Sequence, residues 1–182
     1  MNIFYLDNDP EKCAQFHVNS HVIKMITETC QLLSTAHRVL DGKEYIDSSS
    51  GRKIKRWSLK DNEHNHLFYK ATHVNHPSAI WTRQSSANYK WLVLLLKELC
   101  KEYTFRYGKI HKCEEIGLVN LFYYFLPINM PNNSFTEPAL AMPEEFRIPN
   151  DAIKSYHNYY NGSKQHLHAW KNRETPYFIK PL

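Results

Sequence analysis

His17, His21, Lys24 and Glu28 follow the spacing i, i+4, i+7, i+11. On a helix turning about 100° per residue they share one narrow arc. Such a row holds the parts of acid–base and nucleophilic chemistry. Glu28 can move a proton or stabilise a cationic intermediate. Lys24, if desolvated among other cations, becomes an amine nucleophile. Met25, Leu32 and Val39 lie on one side of the arc, so the row is a candidate wall of a cleft. Spacing leaves a second reading open, a solvated face stitched by a Lys24–Glu28 pair. The His17/His21 pair, joined by His73 and His76, also raises a metal site. No H-E-x-x-H and no His-Asp dipeptide accompanies them, and most His pairs on helices bind no metal.

Two segments carry the means to hold a polyanion. In GRKIKRW, Arg52, Lys53, Lys55 and Arg56 precede Trp57. Such a run neutralises phosphates while the indole stacks or wedges; a solvated loop is the bland alternative. From Lys154 to Leu182, five Lys/Arg face one acid and alternate with aromatic rings. Lys171, Arg173 and Tyr177 are the contact candidates there, because backbone contact plus base stacking suits single-stranded or opened nucleic acid. His76, Arg83 and Asn88 cluster near an expected helix start, where free N–H groups favour anions. Trp81 and Asn88 share the face of Leu92 and Leu99, so both are expected to point inward, and Asn88 then needs partners in the core.

The elements that must position these groups read as mainly α. A short strand or extended lead-in is expected over residues 2–6. Asp9-Pro10-Glu11 starts a helix that runs to about Leu40, where Asp41-Gly42 stops it. Residues 44–63 read as a basic hairpin or loop insertion. A second long helix spans His76 to Tyr107-Gly108, and a third spans Glu114 to Phe125. Residues 127–149 hold five prolines and read as an irregular crossing loop. A last helix runs from Asp151 to about Trp170, with a candidate break at Asn161-Gly162. No linker divides the 182 residues, so a single domain, 1–182, is expected.

Composition narrows the function classes. The chain is 42% hydrophobic, enough for a core, and carries a net charge of +5 with 11 further His. Five Gly residues and no Gly-rich loop argue against a nucleotide-binding P-loop or dinucleotide fold. Cys13, Cys30, Cys100 and Cys113 never fall at C-x-x-C spacing, which removes a zinc ribbon or redox pair. MNIFYLDNDP lacks a basic n-region, and the longest apolar run, Trp91–Leu96, is too short for a bilayer. The expectation is a cytoplasmic protein (a host cell's cytoplasm if viral) with no membrane partner and no cofactor.

The row on the first helix resembles that of the phage-type pyrimidine-dimer DNA glycosylase/AP-lyase (endonuclease V) family. His21 and Glu28, seven residues apart in HVIKMITE, match that family's His and catalytic Glu. Asp41-Gly42-Lys43, the segment Met142 to Arg147 (MPEEFR) and the tail Arg173 to Phe178 (RETPYF) are similar to family segments in the same order. The likeness covers most of the chain except residues 44–63 and the longer loop at 127–149. The chain also has the look of uncharacterised phage or large-virus proteins. The resemblance implies a compact all-α fold and double-stranded DNA as partner. It also implies attack of an amine on C1′, loss of the base through a Schiff base, β-elimination, and an everted nucleotide. Glu28 would stabilise the sugar cation. The α-amine of Met1 or Lys24 would be the nucleophile, with His17 and His21 orienting water or the ring oxygen. Two departures stand out. A bulky residue, Asn2, follows Met1, and the family's two Arg around its Glu fall on Thr27 and Gln31. The competing readings are a non-catalytic nucleic-acid-binding or host-interaction protein on the same scaffold, and a metal-dependent nucleotide phosphohydrolase.

Overall fold

The computed structural model describes residues 1–181. Among the described residues, eight α-helices, two 3₁₀ turns and one two-stranded hairpin build a mainly α fold. The helices are α1 (Pro10–Phe16), α2 (Asn19–Asp41), α3 (Asn62–Leu67), α4 (Pro77–Arg83), α5 (Ser86–Tyr107), α6 (Lys112–Glu115), α7 (Leu118–Tyr124) and α8 (Ala152–Asn161), with 3₁₀ turns at Glu144–Phe146 and Gln165–Leu167. The two long helices, α2 and α5, pack against each other and line the core with Met25, Ile26, Leu32, Leu33, Leu92, Leu96 and Leu99. No helix among the described residues is long and apolar enough to cross a membrane.

The 44–63 insertion is the expected hairpin. β1 (Lys43–Asp47) pairs antiparallel with β2 (Ile54–Ser58), Tyr45 opposite Arg56. Gly51, at φ +75°, lies in the connecting turn, a conformation that costs glycine little. The adjoining α3 was not expected from the sequence. Asp61 starts it by accepting the His64 N–H. Residues 127–149 are irregular as expected, apart from one 3₁₀ turn, and α8 ends at Asn161-Gly162.

Residues 2–6 are not a strand. They form a buried lead-in whose polar groups are met by side chains rather than a ladder: the Cys13 thiol donates to Phe4 O, and the Leu6 carbonyl meets His157 Nε2 at 2.8 Å. Phe4, at φ +52°, turns its ring to stack on His21 at 4.1 Å.

The expected helix from Asp9 to Leu40 is two helices, broken at His17-Val18. No residue there forbids a helix, and the cause lies elsewhere in the chain. The Arg106 guanidinium, 1% exposed, donates to the carbonyls of Gln15 and His17 and to Asn19 Oδ1, each at 2.9 Å. Those acceptors satisfy a buried cation, which also pairs with Glu102 at 2.6 Å. The second expected helix is likewise split, because Ser85 caps α5 by accepting from Ala87 and Asn88 N–H. The third is split at Gly117, φ +82°.

Candidate active site

One face of α2 organises the site. Lys24, Glu28, Gln31, Thr35 and Arg38 recur every three or four residues, so they lie within roughly 80° of arc. Toward the N-terminal end, Glu28 is held from two sides. Lys24 Nζ lies 3.2 Å from Oε1, and the Asn2 backbone N–H donates to Oε2 at 3.1 Å. The head of the chain is itself anchored: Asn2 Nδ2 donates to Ala141 O at 2.8 Å, and Tyr156 Oη donates to Asn2 Oδ1 at 2.7 Å. The contact of Asn2 with Glu28 was not foreseen because it spans 26 residues.

His76 belongs to the same neighbourhood. Burial lowers its proton affinity first, the N-terminal amine and His73 lower it further, and Glu28 raises it. Its Nδ1 accepts the Ser78 N–H at 3.2 Å as the cap of α4. That bond leaves the ring proton on Nε2. His73 is exposed at φ +48°, uncommon for a non-glycine. Thr35, two turns after Glu28, is bonded to Thr72 beside it.

The four-residue row expected on one helix is not formed, because the helix breaks between His17 and Asn19. The Lys24 side chain is 63% exposed, so it is not a desolvated amine, while Glu28 is 15% exposed. Neither lines any of five cavities found elsewhere among the described residues. His17 lies outside α2, fully buried, with Nδ1 on the Cys13 carbonyl at 2.6 Å. His21 is buried too, its Nδ1 meeting Tyr160 Oη at 2.8 Å. Burial pushes their pKa values down to about 4 and about 3. Both are buried core rings that burial keeps neutral. No group of three or more His, Cys, Asp or Glu among the described residues can hold a metal ion.

The nucleic-acid candidates divide. Arg52 and Lys53 are exposed at the hairpin turn, and Lys55 is exposed beside Glu44 at 2.9 Å. Arg56 and Trp57 are half-buried at its base. Lys171 and Tyr177 are exposed, the latter at 77%. Three others are occupied inside the fold. Arg173 makes a two-pronged contact with the buried Glu102, 2.8 Å at its closest. Arg83 donates to the Val74 carbonyl at 2.7 Å. Asn88 is fully buried, donating to Trp81 O and Thr136 Oγ1 and accepting the Thr136 N–H, so it fastens the crossing loop. A contact role for Asn88 is therefore replaced by the core role its inward face anticipated.

A family model described as pyrimidine dimer DNA glycosylase matches residues 1–115. The chain belongs to that family. The match takes in the head of the chain, all of α2, the hairpin and His76, hence every group gathered around Glu28. Membership carries DNA glycosylase-type function, DNA as the substrate and a place in DNA repair. No curated protein and no solved structure matches the chain significantly.

Proposed function

We propose that the protein is a DNA glycosylase/AP lyase for a damaged or modified base, working through an amine at the head of the chain and the carboxylate of Glu28. One observation carries this reading: the backbone nitrogen of Asn2 lies 3.1 Å from Glu28 Oε2. The N-terminal amine, on Met1 or on Asn2 once Met1 is removed, therefore starts next to a carboxylate. Lys24 is the weaker candidate nucleophile, since its side chain is exposed and paired with Glu28.

In the proposed sequence the amine attacks C1′, and the bond from C1′ to the base breaks with the electrons leaving on the base. The amine then loses a proton, the C1′–O4′ bond opens with O4′ taking up a proton, and the resulting iminium at C1′ carries a positive charge that Glu28 stabilises at close range. Loss of a C2′ proton then expels the 3′ phosphate by β-elimination. Because the ridge around Glu28 is open, water is excluded only when DNA covers it, and the target sugar must be drawn out of the duplex. Borohydride trapping tests the claim: the protein should form a covalent adduct with abasic-site DNA. Absence of an adduct at saturating protein refutes it.

A second reading has its own support. The exposed setting of Lys24 and the Thr27 and Gln31 departures fit a DNA-binding protein that has lost catalysis. That reading expects salt-dependent DNA binding with no adduct, unchanged by Glu28→Gln.

A further inference from the structure

An apolar face lies at the C-terminal end of α2, built largely from residues beyond the matched stretch, which ends at residue 115. Its centre is the end of α7 and the start of the crossing loop. Tyr123, Tyr124 and Phe125 are exposed there, beside the exposed Leu94 of α5. Ile128 is 91% exposed, the highest value for a large apolar side chain among the described residues. Apolar residues exposed singly need no explanation, whereas a contiguous group marks an interaction surface.

The face carries both a projection and a recess. Ile128 is the projection, and its backbone is preset. Asp41 accepts the Ile128 N–H at 2.8 Å and the Asn129 N–H at 3.0 Å, which fixes the loop to the end of α2. The recess lies between α5 and α7, a hollow of about 350 Å³ walled by Tyr89, Val93, Leu94, Phe122 and Tyr123. Leu126 lines this hollow and also the one that Ile128 borders, so projection and recess are neighbours on one face.

Charge is divided along the same face, and the division selects the occupant. At the recess end Lys90 is exposed, and Lys97 places Nζ 3.8 Å from the Tyr123 ring centre. At the Ile128 end the second hollow is bordered by Asp41 and Asp61 against one cation, Lys60. A duplex, an anionic membrane or an acidic helix lying along the face would meet those two carboxylates, and like charges in apposition disfavour it. A second copy of the chain has no such conflict. A two-fold axis sets the same patch of both copies together, residue i against j and j against i. The lysine end of each copy then meets the aspartate end of the other, and each Ile128 meets a recess.

We infer that this face is a self-complementary interface joining two copies of the chain about a two-fold axis, each seating Ile128 in the hollow between α5 and α7 of the other. A projection and a recess on separate faces would build an open row of copies. Side by side on one face, they close as a dimer. The inference is independent of the glycosylase reading, since neither Glu28 nor the head of the chain borders either hollow.

Sedimentation velocity of the full chain without DNA, from low-micromolar to sub-millimolar concentration, tests it. The expected result is a reversible dimer at twice the 21.6 kDa chain mass. Ile128→Asp and Leu94→Asp change exposed side chains, so far-UV circular dichroism should stay as in the unmodified protein. Both should raise the dissociation constant of the dimer, Ile128→Asp by at least ~100-fold, because two isoleucines per dimer lose an apolar seat. Lys97→Glu should raise it about 10-fold, less at high salt. A monomer across the whole range, assemblies larger than a dimer, or a dissociation constant that these substitutions leave unchanged overturns the inference. The glycosylase reading fails by a different observation, the absence of a borohydride adduct in the unmodified protein.

Discussion

The two ends of the α2 ridge handle charge in opposite ways. Toward the N-terminus, Glu28 meets an exposed ammonium and a backbone N–H, and its surroundings stay open. Toward the C-terminus, Arg38 is 4% exposed and spends its guanidinium on the carbonyls of Trp57, Asn65, Phe68 and Tyr69 and on Asn65 Oδ1. No carboxylate pairs with it in the hydrogen bonds it makes. On the proposed reading, the same helical repeat serves reactivity at one end and rigidity at the other. A carboxylate intended for chemistry must be free to change partners, whereas a buried cation that fixes a hairpin must have none to lose.

Breaking the buried end should cost most. Arg38→Met removes five hydrogen bonds and leaves buried carbonyls unpaired, at about 1–3 kcal/mol for each group that water cannot reach. We expect a loss of at least ~3 kcal/mol in urea unfolding. In hydrogen exchange, β2 and α3 should lose protection before the Glu28 turn does. Equal loss at both ends would contradict the division. Arg106→Met probes the other buried cation and should cost about 3–5 kcal/mol, because the Gln15 and His17 carbonyls lose their partner and the buried Glu102 keeps only Arg173. Its signature is disorder at the α1–α2 junction, readable as new proteolysis near His17.

Acid should act through the rings behind the ridge. Burial holds His17, His21 and His37 at about 4, about 3 and about 4, below the ordinary 6.5. The unfolded chain therefore takes up protons that the folded chain refuses. Stability is full above pH ~6.5 and falls as the pH drops toward 4, by up to roughly 1.4 kcal/mol per pH unit for each ring. A flat stability profile between those limits would show the rings to be solvated. At the open end, Lys24→Met should change stability by less than ~1 kcal/mol, as for any exposed pair. It should leave borohydride trapping in place, since the nucleophile is assigned to the head of the chain. Loss of trapping in that variant would move the nucleophile to Lys24.

What the sequence made legible follows the range of the forces. The hairpin was readable because alternation and a glycine turn are local, and α1 because Asp9 and Pro10 act within one turn. Glu28 was readable from its seven-residue spacing to His21. The breaks at His17 and Gln84 were not. One depends on Arg106, which reaches His17 across 89 residues. The other sits where Ser85 caps α5 and its hydroxyl donates to carbonyls of the crossing loop. The contacts of Asn2 with Glu28 and of Thr72 with Thr35 were not foreseen for the same reason, since each folds a distant segment back onto α2. Arg173 looked like a DNA contact because basic residues among aromatics suggest one. Its carboxylate partner, Glu102, is 71 residues away.

The amine–carboxylate pair at the head of the chain is tested most directly by borohydride trapping on abasic-site DNA, with intact mass recording which residue carries the adduct. The account predicts an adduct on the N-terminal peptide in the unmodified protein, and a rate reduced roughly 10²- to 10⁴-fold in Glu28→Gln, the usual range for removing a proton-transfer group. An adduct on an internal lysine, or one that forms at the same rate without the Glu28 carboxylate, would contradict it.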